Sequence, residues 1–187
     1  ALGDPDWVVR WSAARALGAI APQDYLERTV GALAASLSDG DSRVCEAAAF
    51  ALEQLGPLAV DALPALSRAA LPADPATLSG WQEPPCQVVD VGPAAEELLV
   101  TSGWTVRWAA VRALGVVGES NPDALPALVA ALNDEMWQVQ GVAALALGQF
   151  GSGISQDARA AVTAMLENEN ESVRNAAESA LEALALN

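Results

Sequence analysis

One short pattern recurs five times along these 187 residues and constrains the fold more than any other feature. Val9, Val44, Val106, Val139 and Val173 each begin a copy. An Ala follows four residues later (Ala13, Ala48, Ala110, Ala143, Ala177) and a Leu four after that (Leu17, Leu52, Leu114, Leu147, Leu181). Steps of four return to one side of a helix, so each copy is a helix with an apolar stripe. A unit this short cannot bury its stripe alone, and the copies must stack. Val9 to Val44 is 35 residues, Val106 to Val139 is 33 and Val139 to Val173 is 34, room for a second helix in each unit. Val44 to Val106 is 62, and the surplus falls mostly in 72–100.

Local signals place the helices. The first runs over 5–19, with Asp4 or Asp6 as its cap and Val9, Ala13 and Leu17 as its inner stripe. If every unit is a helix pair, this one lacks its first member, and its outer edge is exposed or covered by something upstream or by a partner. Pro22 opens the next helix, where a missing N–H costs nothing. Asp41 caps a helix from Ser42 to Leu55, which Gly56 and Pro57 stop. Further helices fall at 58–71, 104–117, 123–132, 136–150, 155–167 and 171–185. The stretch 72–100 holds five Pro and two Gly and reads as a loop-rich insertion, with a short extended piece at 87–91 and a short helix at 93–100.

Composition excludes several chemistries. The 24 acidic and nine basic residues give a net charge of −15, which disfavours nucleic acid and anionic membrane surfaces as partners. All nine basic residues are Arg. Without His there is no imidazole base and no histidine metal ligand, and without Lys no Schiff base. Cys45 and Cys86 lack paired-ligand spacing, so no metal is expected, and idle thiols are favoured over a disulfide. No apolar run is long enough to span a membrane, so no membrane insertion is expected. No signal peptide is visible, and nothing separates a cytoplasmic from a plastid location.

A period of 33–35 residues with D-x-D-W-x-V-R-x-x-A-A-x-A-L-G on the second helix resembles the HEAT-repeat family, nearest to the short repeats of phycobilisome lyases. Asp4 through Gly18 matches closely; Trp104 to Gly115 and Val139 to Gly148 match well. The resemblance covers nearly all of 1–187 except about 72–100. It implies an all-α fold, a right-handed α-α superhelix of about five repeats in one domain, with second helices lining a concave docking face. It also implies that the Arg after each Val pairs with an acidic turn residue of the next unit. Arg10, Arg107 and Arg174 keep that place, but Cys45 and Gln140 do not, so the ladder is expected to break at two rungs. Glu53 and Glu182 replace the Gly after the Leu. Family members that are metal-dependent hydroxylases use His-Glu pairs, and that activity does not carry over to a chain without His.

At 100° per residue, positions two before and two after each Val lie about 160° to 200° away, opposite the stripe. Trp7, Trp11, Trp104, Trp108 and Trp137 stand there. Six after the Val come Arg15, Phe50, Arg112 and Leu145, of which the first three join the candidate set. Indoles opposite a core stripe either cover the turn of a neighbouring unit or grip a partner, and Trp with Arg dominates binding hot spots. These eight residues are the candidate partner-binding set. The reading is a non-catalytic scaffold for protein–protein interaction, suited to an accessory subunit of a larger assembly, with no cofactor. The resemblance also supplies an alternative: a bilin-handling protein, with indoles stacked on the tetrapyrrole, Arg15 and Arg112 on its propionates, and Cys45 or Cys86 as the thiol.

Overall fold

The computed structural model describes residues 1–20, 23–72, 102–119 and 121–186, and among these every regular element is helical. The α-helices are α1 (Trp7–Ile20), α2 (Leu26–Ser36), α3 (Ser42–Leu55), α4 (Leu63–Ala69), α5 (Ser102–Val117), α6 (Leu125–Ala131), α7 (Trp137–Gly148), α8 (Gln156–Ala164) and α9 (Glu171–Leu186). The stripe helices α1, α3, α5, α7 and α9 stack in chain order, each on the next, and α2, α4, α6 and α8 form a thinner parallel layer. Between the layers runs one apolar cluster, from Ala14 to Leu184. Ala48, Leu52, Val139, Ala143 and Leu147 lie in it without exposed surface, facing Leu33, Leu66, Leu128 and Val162 of the other layer; Val44 and Val173 are also buried, while Val106 is half-buried. Each such Leu contributes roughly 2 kcal/mol by leaving water.

The expected caps form. Asp6 accepts from the Val8 N–H at 2.9 Å and Asp41 from the Arg43 N–H at 3.0 Å. The helices expected at 58–71 and 123–132 are each split. A 3₁₀ stretch, Gly56–Ala62 or Pro122–Ala124, precedes the α-helical turns of α4 or α6. Pro57, Pro64, Pro122 and Pro126 sit at the openings of these segments and lack the N–H that a continuous α-helix needs. The features expected within 73–101, including the 87–91 and 93–100 pieces, Trp81 and Cys86, lie outside the described residues. On either side of that stretch the stack keeps its order: α5 packs on both α3 and α4. The extra residues therefore sit between the two helices of one pair rather than between pairs.

The first copy departs from its expected stripe. Val9 is 38% exposed, Ala13 and Leu17 are half-buried, and the buried residues of α1 are Ala14 and Gly18. Among the described residues no helix precedes α1 to cover the face that α2 covers on α3. The side of α1 that touches α3 is buried instead.

Glycines set the spacing of the stripe helices. A Cβ at Gly18 would lie 2.6 Å from the Ala51 Cα, one at Gly115 2.8 Å from the Ala146 Cβ, and one at Gly148 2.8 Å from the Ala180 Cα. Each of these glycines follows the repeat Leu, so each marks where the next stripe helix crosses. Glu53 holds the same place in α3. Its carboxylate accepts from Arg112 of α5 at 2.6 Å.

The ladder between units is more continuous than expected. Arg10 reaches Asp39 through two hydrogen bonds, at 2.8 and 2.9 Å, and Arg107 reaches Asp134 at 2.7 and 2.9 Å. These hydrogen bonds hold both guanidinium pKa values above the usual one. Gln140 does not break the ladder, because the turn opposite has changed with it: the Asn168 amide donates to Gln140 Oε1 at 3.0 Å. A neutral pair replaces an ionic one. Cys45 turns back to the Asp39 carbonyl, and the position that would face it, residue 101, lies outside the described residues.

Two predictions follow from these contacts. A Cβ added at Gly141 of α7 would meet only the Ala176 Cβ, at an ordinary 3.9 Å, so Gly141→Ala should stabilise by up to about 1 kcal/mol through helix propensity. Gly148→Ala gains the same propensity but must displace the α9 backbone; it should destabilise by about 1–3 kcal/mol. Urea denaturation followed by circular dichroism reads both signs. The Asp134 side chain is fully buried, so Asp134→Ala leaves the Arg107 guanidinium only its longer contact with the exposed Glu135 and should cost about 3 kcal/mol. Glu135→Ala, which removes a carboxylate 75% exposed, should cost under about 1 kcal/mol by the same measurement.

Candidate docking groove

The faces of α1, α3 and α5 opposite the stripes enclose an open groove of about 870 Å³. Of the eight expected residues, Trp7, Trp11, Arg15, Phe50 and Arg112 line it. The helical repeat explains why they converge. α1 and α5 carry the same cassette, W-x-V-R-W-x-x-x-R-A-L-G, so Trp11 and Arg15 stand one turn apart on α1, as Trp108 and Arg112 do on α5. In both copies the guanidinium lies over the indole at 4.8 Å, a cation–π stack. Arg43 of α3 lies over Trp7 at 3.3 Å.

The two cassettes differ in what α3 places beside them. On the α5 side, Phe50 meets Trp108 edge to face with ring centroids 6.1 Å apart, and Arg112 spans both rings while pairing with Glu53. That side is closed by ring contact and ion pair. On the α1 side Trp11 is half-buried, Arg15 is exposed, and among the described residues no carboxylate lies in ion-pair range of Arg15. The groove is thus firm at one wall and open at the other.

The remaining three residues fall elsewhere. Trp104 and Trp108 are half-buried against the core, and Trp108 touches the groove set only through Phe50 and Arg112. Trp137 is 45% exposed on α7 and stands apart from the groove. The lining also includes Arg43, Glu46 and Glu53, absent from the expected set. Glu46 occupies the position two after its Val, where Trp11 and Trp108 stand in their copies, so the same angular rule finds it once the search is not restricted to aromatics. Arg43 hydrogen-bonds Asp41, whose carboxylate pKa it draws below the usual value. Glu46 accepts from Thr105 of α5, a second tie between α3 and α5. Among the described residues no cluster of acidic or cysteine side chains is arranged to hold a metal ion, and no helix is long and apolar enough to cross a membrane.

A stack of helix pairs tied by an Arg-to-turn ladder defines an α-solenoid of the HEAT/armadillo type. The comparisons agree. The HEAT-repeat family profile matches residues 1–80 and 92–182, and the chain belongs to that family. No curated protein matches the sequence. Among solved structures, an engineered protein from the Northeast Structural Genomics Consortium aligns over 98% of this chain and 76% of its own, at 23% identity and a TM-score of 0.59. A designed armadillo repeat protein in complex with the peptide (KR)4 aligns over 98% of this chain and 78% of its own, at 21% identity and a TM-score of 0.58. At these identities the likeness concerns the fold.

Cys45 lies on α3 away from the groove, 5% exposed, and burial pushes its thiol up to about 12. It should resist alkylation by iodoacetamide at pH 8 in the native protein and react fully in urea, as read by peptide mapping; native labelling would mean that α3 opens locally.

Proposed function

We propose that this chain is a non-catalytic interaction scaffold, a single HEAT-type domain over 1–187 that holds an extended segment of a partner protein in the groove of α1, α3 and α5. The observation that carries the reading is the pair of guanidinium-over-indole stacks, Arg15 on Trp11 and Arg43 on Trp7, that line an open groove with Phe50 and Arg112 on its other wall. Stacked indoles offer large, flat, pre-ordered contact area, and guanidinium groups held over them retain N–H edges for a partner's carbonyl or carboxylate oxygens. Little side-chain entropy is then lost on docking, which is what makes such residues dominate binding energy. A designed armadillo protein of similar fold is recorded with a bound peptide, which supports a peptide as the kind of object such a stack can hold. Holding a partner without a reaction of its own suits an accessory subunit within a larger assembly. The bilin-handling alternative draws no support from Cys45, whose buried, protonated thiol is far from the reactive thiolate that covalent attachment needs.

Selection of a random peptide display library against the whole protein tests the proposal. Enriched peptides should bind with dissociation constants in the micromolar range. They should lose about tenfold or more in affinity on Trp11→Ala, read at a temperature where circular dichroism shows the variant fully folded, since Trp11 also packs on the core. Absence of any enriched peptide, or enriched peptides indifferent to Trp11, would sink it.

A further inference from the structure

Resting on the reading that the groove holds a peptide, we infer that its occupant is acidic: a segment alternating carboxylate and aliphatic side chains, anchored by a carboxylate on Arg15. The chain as a whole argues the other way. With a net charge of −15, a basic partner is the first expectation from composition. The groove does not share that composition. It takes three of the nine Arg residues and only two of the 24 acidic ones, Glu46 and Glu53. Both of those carboxylates are engaged across the α3–α5 joint, Glu46 by Thr105 and Glu53 by Arg112.

The three guanidinium groups are not equivalent. Arg112 is matched by Glu53 and Arg43 by Asp41. Arg15 stacks on Trp11 and, among the described residues, has no carboxylate within reach. Stacking uses the face of the guanidinium and leaves its N–H edge, the part that matches a carboxylate fork. The α1 wall therefore presents a positive charge on an apolar floor, beside Val8 and Ala19. A carboxylate satisfies the edge, and an aliphatic neighbour covers the half-buried indole. A Lys or Arg side chain there would meet an unmatched like charge. Repulsion from the distant acidic surface is weak at physiological salt, where screening acts over about 8 Å, whereas a carboxylate in contact with Arg15 is hardly screened.

Three fluorescein-labelled octapeptides, (Glu-Leu)4, (Gln-Leu)4 and (Lys-Leu)4, test this by anisotropy against the intact protein at about 0.15 M salt. The expected result is that (Glu-Leu)4 binds about tenfold more tightly than (Gln-Leu)4. Arg15→Gln should erase that difference while the melting temperature holds, and Arg15→Glu should move the preference toward (Lys-Leu)4. If all three bind alike and all weaken on Trp11→Ala, the groove holds peptides without choosing charge: the acidic preference fails and the scaffold reading stands. Tightest binding of (Lys-Leu)4, weakened by Trp11→Ala, overturns the preference in favour of a basic occupant. If Trp11→Ala affects none of the three, the groove is not a peptide site and both readings fail.

Discussion

The structure depends on the close crossing of successive stripe helices. At Gly18, Gly115 and Gly148 there is no room for even a methyl group, because the Ala of the next helix already occupies it. Backbones brought this near place the repeat Ala and Leu residues of adjacent copies, such as Ala48, Leu52, Ala110, Leu114, Ala143 and Leu147, within one continuous apolar cluster, which no isolated copy has the surface to build. The Arg-to-turn contacts follow from that spacing: a side chain such as Arg10 reaches the turn of the neighbouring unit because the helices between them are held close.

One joint is built differently. Between α3 and α5 the crossing glycine is replaced by Glu53, and the contact is made by Glu53 with Arg112, Glu46 with Thr105 and Phe50 with Trp108. The extra residues of the chain also enter between the helices of the pair that α5 completes. A polar and aromatic joint keeps the stack in register where the short interhelical turn is missing. It also supplies one wall of the groove. The feature that keeps the solenoid continuous and the feature that shapes the candidate site are the same few side chains.

The ladder shows a related economy. Arg faces Asp at two joints, and where Gln140 replaces the Arg, Asn168 replaces the Asp. Pairing charge with charge and amide with amide avoids leaving a buried donor or acceptor unmatched, which costs more than the pair itself contributes. A substitution that reads as a break when one position is considered is complementary when the facing turn is considered too.

What the sequence alone determined was the repeat: the Val-Ala-Leu stripe, its period, the capping Asp residues, the interruption after residue 71 and the angular position of the indoles opposite the stripe. All of these are local, set by helical geometry and by Pro, Gly and Asp chemistry within a turn or two. Tertiary structure decided what lies beside what. That Val9 is exposed while Val44 is buried, that Gln140 finds Asn168, 28 residues on, and that Arg112 meets Glu53, 59 residues back, while Arg15 has no carboxylate in reach among the described residues are facts about distant neighbours. Helical periodicity assigns a side chain to a face; only the packing of other helices onto that face decides whether it is core, wall or open surface.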